Sequence, residues 1–450
     1  KILPLFENDI SIKIAVCKSS KLETIKNDFN KVISFLEIDE LELLFMISHI
    51  DQKTLLYSIA LKAISQNSFE KYVDKFLQEL LFFSINLRAS DIHIEQYKDV
   101  VLFKFRIDGR LKTFFAFYSE FFKLISSYIK LISTLDMTQI RLPQDGRFAL
   151  NIEDKKYDFR VSSMPTLEAE SIVLRILDNK NINKNLQTLG ISSNLFEILT
   201  QALKLTQGLI LISGPTGSGK TTTLYSILQE LNCEEKKIIT VEDPIEYKID
   251  SICQIPINSK IGLSFELVLK NILRQDPDII MVWEIRDKET ALLSIEAALT
   301  WHLVLSTIHT NSASATIQRL TNMWIEPFLI SSALKMIISQ RLVKKICPKC
   351  KVVHNIDQTL RTKVKNELID IMEEDEINEL VFYKWTGCEN CKGSWYKGRL
   401  WVHEILVLWE YIEKYILEMA PASEIHKIAK KEGMITILQD AILKAAIWNT

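Results

Sequence analysis

A mixed α/β protein with one domain on a parallel sheet is what the sequence predicts, and three observations carry that reading. Between Gly208 and about Leu342, apolar runs of four or five residues alternate with helical patterns, the signature of repeated strand–helix–strand units. The first run, GLILIS, leads into GPTGSGKTTTL, where Gly214, Gly219, Lys220 and Thr221 have the spacing of a phosphate-binding loop between a strand and a helix. Upstream, short β-like runs (VLFKFRIDGRL, YDFRVSSM) flank an apolar helical segment, FFKLISSYIKLISTL, and indicate a smaller α/β domain.

Taken in order, residues 1–80 show helical periodicity in LELLFMISHI and LLYSIALKAI and are expected to form a helical N-terminal region. The smaller α/β domain is expected over 86–180, and NKNINKNLQTLG after it reads as a polar linker. The phosphate-loop domain is placed at 190–342, a cysteine-containing segment at 343–400, and a mostly helical C-terminal region at 401–450.

The 450 residues are 47% hydrophobic, enough for real cores, and the net charge is −2. Whole-molecule electrostatics therefore favour neither a nucleic-acid groove nor an anionic membrane surface. No apolar run approaches the ~20 residues of a membrane span, and KILPLFENDI lacks the pattern of a secretory leader. A cytoplasmic protein is expected. Of seven cysteines, Cys17, Cys233 and Cys253 read as buried thiols. The other four form two pairs, Cys347-x-x-Cys350 and Cys388-x-x-Cys391, which suffice for a tetrahedral cage of thiolates around a structural Zn2+.

The loop Gly214, Pro215, Thr216, Gly217, Ser218 and Gly219 can turn successive N–H groups towards a polyphosphate such as that of ATP, and the following helix adds its dipole. Lys220 would reach the terminal phosphates, and Thr221, with Thr222 beside it, would offer a hydroxyl to Mg2+. Three further apolar runs end in polar clusters: KIITVEDPIEY, DIIMVWEIRD and HLVLSTIHTN. Ligands of open parallel sheets sit at the carboxyl ends of strands, so Glu242, Asp243, Glu284 and His309 are expected to face the same nucleotide. Glu284 suits a group that orients or deprotonates the attacking water, or else a helix cap or surface ion pair. Glu242 and Asp243 could hold Mg2+ or its waters, and His309 could sense the γ-phosphate or be a hydrogen-bonded core residue.

Together, GPTGSGKTTTLY, TVEDPIEY, ILRQDPDIIMV with EIRD, HLVLSTIHTN and SQRLVKKICPKC closely resemble the ATPases of type II secretion and type IV pilus assembly. ASDIHIE, RIDGRL, RLPQDGRF, FRVS and IVLRILD resemble that family's second N-terminal domain, so the likeness runs from about residue 86 onwards. It implies a RecA-like ATPase domain, a homohexamer, and an inner-membrane platform protein as partner, with membrane contact only through partners and no direct nucleic acid. It also implies that Glu242 lies in an Asp box, Glu284 in a Walker B motif, and His302 and His309 in a His box. Arg160 and Arg175 match arginines that close over nucleotide, and an arginine from a second domain is what charge stabilisation of phosphoryl transfer calls for, although Arg160 could equally be a sheet-edge residue. Tetracysteine segments resemble those of assembly and export members. Two competing functions remain: a nucleic-acid motor of the same fold and a catalytically inactive subunit.

Five tryptophans, Trp283, Trp301, Trp324, Trp395 and Trp401, stand where the resembled family has glycine, and Trp448 is a sixth candidate. All eight tryptophans follow residue 282, and glycine totals only 12. Trp301, between a helix and a strand, and Trp395, in a turn, are expected at positive φ, where a bulky side chain is costly. Either the catalytic strand is compromised at Trp283, or UGA codons meant as glycine stand written as tryptophan.

Overall fold

The computed structural model describes residues 2–7, 11–16 and 32–37 by their backbone, and 49–65, 69–153, 155–177, 186–258, 261–388, 391 and 395–448. The chain divides into two compact units, residues 1–179 with 386–397, and residues 180–385 with 398–450.

In the first unit, β1 (Ile2–Glu7), β2 (Ser11–Val16) and β3 (Val32–Glu37) form a three-stranded sheet in that order. This corrects the expectation of a helical start. In SIKIAV the apolar Ile12, Ile14 and Val16 recur every second residue, the period of a strand. Helices Ile50–Ser65 and Phe69–Asn86 follow, so the helical reading holds from residue 50. The run at 41–48 lies outside the described residues.

Six antiparallel strands come next: β4 (Ala89–Tyr97), β5 (Val100–Ile107), β6 (Arg110–Tyr118), β7 (Gln144–Ile152), β8 (Lys155–Pro165) and β9 (Glu170–Leu177), ordered β6-β5-β4-β9-β8-β7. The two preceding helices and helix Glu120–Ile132 share one apolar core with this sheet, so the domain begins well before residue 86. Phe76 is its hub, with ring centroids 5.6 Å from Phe103, 5.4 Å from Phe117 and 4.7 Å from Phe121. A buried ion pair, Lys130 to Glu170 at 2.6 Å, is completed by Ser163 donating to Glu170 and by Lys130 donating to the Gln139 carbonyl. Both charges thus have partners, which buried charges require.

The second unit contains β10 (Gly208–Ser213), β11 (Ile238–Glu242), β12 (Cys253–Pro256), β13 (Ile279–Val282), β14 (Leu303–Ile308) and β15 (Leu334–Ile346). A two-stranded ladder, β16 (Lys351–His354) with β17 (Phe382–Trp385), precedes β18 (Tyr396–Val407). The main sheet runs β12-β11-β13-β14-β10-β15-β18, and its ladders from β12 to β15 are parallel. Every residue of β10, β11, β13 and β14 is buried, which is why these strands read as unbroken apolar runs.

Two expected boundaries are corrected. The sheet continues beyond residue 342 through β15 and takes in β18, so positions 342 and 401 fall inside strands. Lys344 and Lys345 broke the apolar signal at the first position. The supposed linker supplies core residues: Leu186 and Leu189 lie in a short 3-10 helix, 1% and 0% exposed, while 178–185 lie outside the described residues.

Candidate nucleotide and metal sites

Strand β10 delivers the glycine-rich loop, and helix Lys220–Leu231 begins directly after it. Gly219, which caps that helix, has φ 89°, a conformation that glycine adopts without strain. At Gly214 a Cβ would stand 2.5 Å from the Gln340 carbonyl oxygen and 2.6 Å from Ser218 Oγ, so only glycine fits. Gln340, fully buried on β15, donates from Nε2 to the Ser218 carbonyl at 2.9 Å and supports the loop from below. Sequence reasoning missed Gln340; its only signal was a polar residue inside the apolar run KMIISQRL. Thr221 and Thr222 are half-buried in the first helical turn, while Thr216 and Gly217 are exposed.

Lys220 Nζ donates to the carbonyls of Gly214 at 2.9 Å and Pro215 at 3.3 Å, and lies 3.4 Å from His309 Nε2. His309 Nε2 in turn lies 3.2 Å from Glu284 Oε1, and Arg286 Nε donates to Glu284 Oε2 at 2.9 Å. The residues expected at the ends of β10, β13 and β14 thus meet in one chain of contacts. Burial pushes the Lys220 ammonium below its usual range, against the opposing pull of Glu284. Burial and then Lys220 push His309 down, while Glu284 raises it. A neutral imidazole makes its contact with Glu284 a hydrogen bond rather than an ion pair. Arg286 supplies an ion pair as well, so the ion-pair reading of Glu284 is realised in the same carboxylate.

Glu242, at the end of β11, is fully buried, and its carboxylate is saturated. Tyr225 donates to Oε2, while Thr240 at 2.6 Å and Gln254 at 3.0 Å donate to Oε1. Burial and then the charge of Glu242 hold the Tyr225 phenol far above its usual range. Asp243 is the exposed member of the pair. His302 sits at the other end of β14 from His309, about 20 Å away along a six-residue strand. Its Nδ1 is 3.0 Å from the Ala297 carbonyl at the end of helix Lys288–Leu299.

Trp283 continues the sheet: its N–H donates to the Val241 carbonyl at 2.9 Å and its carbonyl accepts from Thr307 at 2.6 Å. The indole lies edge-on to Tyr225, centroids 6.3 Å apart, beside the residue that holds Glu242. Among the described residues of the first unit, Arg160 pairs in register with Arg175 on one side and Arg147 on the other. Asp91 pairs with Arg175, whose Nε donates to it at 2.9 Å, and Arg106 lies 3.7 Å from the same carboxylate. Four arginines thus cross the sheet in one row around a single acid.

The thiols of Cys347, Cys350, Cys388 and Cys391 lie within 4.8 Å of one another, three of them buried. Cys388 Sγ and Cys391 Sγ are 3.8 Å apart. A tetrahedron with Zn–S bonds of about 2.3 Å has edges of about 3.8 Å, so the donor set fits zinc. Cys233 and Cys253 are exposed, which corrects the expectation of buried thiols: one follows a helix end and the other opens an edge strand. Cys17 lies outside the described residues.

Comparison with known proteins decides the family. The model for "Type II/IV secretion system protein" matches residues 63–448. The chain belongs to that family. The type IV pilus assembly ATPase PilB of Myxococcus xanthus is 40% identical over 375 residues, 83% of this chain and 65% of its own length. The type II secretion system ATPase E of Vibrio cholerae is 42% identical over 342 residues, 76% of this chain and 66% of its own. The chain therefore spans just under two thirds of these relatives. Among solved structures, the pilus retraction motor PilT with bound ADP aligns with TM-score 0.52 and 25% identity, over 81% of this chain and 95% of its own. The Legionella pneumophila ATPase DotB aligns at 0.60 with 24% identity, over 82% and 91%, a likeness of fold.

Proposed function

We propose that this chain is the subunit of an ATP-hydrolysing motor that powers type IV pilus assembly or type II secretion. One observation carries the reading: Lys220, His309 and Glu284 meet beside a phosphate loop at the carboxyl ends of β10, β14 and β13. The loop amides and Lys220 bind the β- and γ-phosphates, and Glu284 orients the attacking water and accepts its proton. His309, neutral between Lys220 and Glu284, links the phosphate side of the site to the water side. Mg2+, when bound, neutralises charge between the phosphates, with Thr221 and the exposed Asp243 as its protein groups. Glu242, saturated by its neighbours, fixes the turn that presents Asp243.

Arg160 and Arg175 supply positive charge to the transferring phosphoryl group, and binding energy that differs between open and closed arrangements sets the available work. The motor acts as a homohexamer at the inner face of the cell membrane, against a platform protein. The absence of any described helix long and apolar enough to cross a membrane is compatible with contact through partners. The four cysteines hold a structural zinc.

The test is a pair of variants assayed for ATP binding and turnover. Lys220→Ala loses both, whereas Glu284→Gln binds ATP and fails to hydrolyse it. Turnover near wild type in Glu284→Gln removes that residue as the water-activating group.

A further inference from the structure

Among the described residues, eleven other than glycine sit at positive φ, and three of them are tryptophans: Trp301 at 66°, Trp324 at 63° and Trp395 at 69°. The chain has eight tryptophans, all described, so three in eight occupy this region, against eight of the other described non-glycine residues, more than three hundred in number. Left-handed backbone is unfavourable for a bulky side chain. The described glycines show what this chain uses there, since ten of the eleven have positive φ.

The motif around Trp324 sharpens the point. Helix Ala313–Asn322 ends with Trp324 N–H donating to the Thr321 carbonyl and Ile325 N–H donating to that of Leu320. This pair of bonds places residue 324 at the left-handed position that glycine most often fills. Helix Ala422–Lys431 ends with the same pair, Gly433 to Lys430 and Met434 to Ala429, and there the residue is glycine. Thr134 and Met419 close helices in the same way, so one bulky residue is tolerable; the recurrence of a single residue type is not accounted for by tolerance. At Trp301 and Trp324 the indoles bury little in return, being 77% and 81% exposed.

A second, independent observation lies under the phosphate loop. Trp401 is buried on β18 with its Nε1 against the Gly219 backbone: a Cβ on Gly219 would stand 2.4 Å from it, so the indole fills the space under the loop. The Ser213, Ser218 and Ser339 hydroxyls and Gln340 Oε1 are buried nearby in sequence and sheet register, without hydrogen-bond partners. Buried polar atoms without partners are costly; the same atoms bonded to ordered water are not.

We propose that these positions carry glycine in the protein as the cell makes it, UGA codons being read as glycine, and that the space beneath the phosphate loop is a small hydrated polar compartment. An exchange confined to one residue type, with one codon one base from UGA, is what this decoding produces. At positions 301, 324 and 395 it removes backbone strain, and at 401 it frees the loop floor. At 283 the backbone makes no demand for glycine, so that site follows from the decoding and not from φ.

The proposal is tested by tandem mass spectrometry of the native protein, across the peptides holding residues 283, 301, 324, 395 and 401. Glycine in each is expected. Tryptophan at any of the five, or a chain ending before residue 283, overturns the proposal. This readout is independent of ATP turnover, so it stands or falls apart from the motor reading. Recombinant chains give a second test: Trp301→Gly, Trp324→Gly and Trp395→Gly together are expected to raise the melting midpoint by several degrees, and an unchanged or lower midpoint counts against glycine there.

Discussion

Strands β11 and β13 are neighbours in the sheet, and a glutamate stands at the carboxyl end of each, yet the two carboxylates have opposite surroundings. Glu242 is wholly buried with three donors, whereas Glu284 keeps 13% of its side chain exposed between a histidine and an arginine. The lesson is that a strand-end acid is defined by what saturates it. A buried carboxylate with donors on both oxygens holds a turn; one that shares its oxygens with titratable and exposed partners can exchange them for water and substrate.

The comparison is broken most directly by exchanging each acid for its amide. Glu284→Gln is expected to lower kcat by ~100-fold or more while the melting midpoint stays close to wild type. Glu242→Gln should do the reverse, with stability falling and the chemical step affected only through the turn. If both variants lose turnover equally at unchanged stability, the two ends do not differ in kind. Next in size, Tyr225→Phe removes one donor from the buried carboxylate and is expected to cost about 1–3 kcal/mol in denaturant unfolding. His309→Ala, on the Glu284 side, is expected to lower kcat about tenfold without that loss of stability.

A pH profile sharpens the contrast further. Burial and Lys220 lower the His309 pKa, so the imidazole stays neutral as pH falls past its ordinary value near 6.5. Turnover should therefore hold through pH 6.5 and decline only below it, where protonation adds a cation beside Lys220 and Arg286. A decline centred above 6.5 and abolished in His309→Ala would show the opposite shift. The smallest effect on turnover is expected from Cys388→Ser, which should lower bound zinc, measured by atomic emission, and leave ATP binding intact.

The phosphate loop and the parallel strands were legible because full burial writes unbroken apolar runs, and because glycines at that spacing between a strand and a helix suit little besides a phosphate. That Glu284, Lys220 and His309 would lie together was legible for a related reason: strand ends in such a sheet converge. What escaped was set by tertiary context. Gln340 supports the loop from a strand more than a hundred residues away, and Tyr225, Thr240 and Gln254 became partners of Glu242 only on folding. The start of the chain was misread because helical periodicity further on was carried back over residues whose alternation has period two.

The ties made by the helix Ile437–Trp448 bear on when the sheet can be completed. Lys444 donates to the Trp401 carbonyl and Asp440 at 2.9 and 2.7 Å, Asp440 accepts from the His403 N–H, and Glu404 accepts from Ala313, the first residue of the helix after His309. Strand β18 is thus pinned by residues synthesised last among those described, and through Glu404 it holds in turn the helix that follows His309. During translation, the six-stranded sheet has all its strands once residue 177 has emerged, whereas the nucleotide-binding sheet waits for more than two hundred further residues. On the ribosome, the nascent chain would carry a complete six-stranded sheet long before the strands around the phosphate loop could assemble.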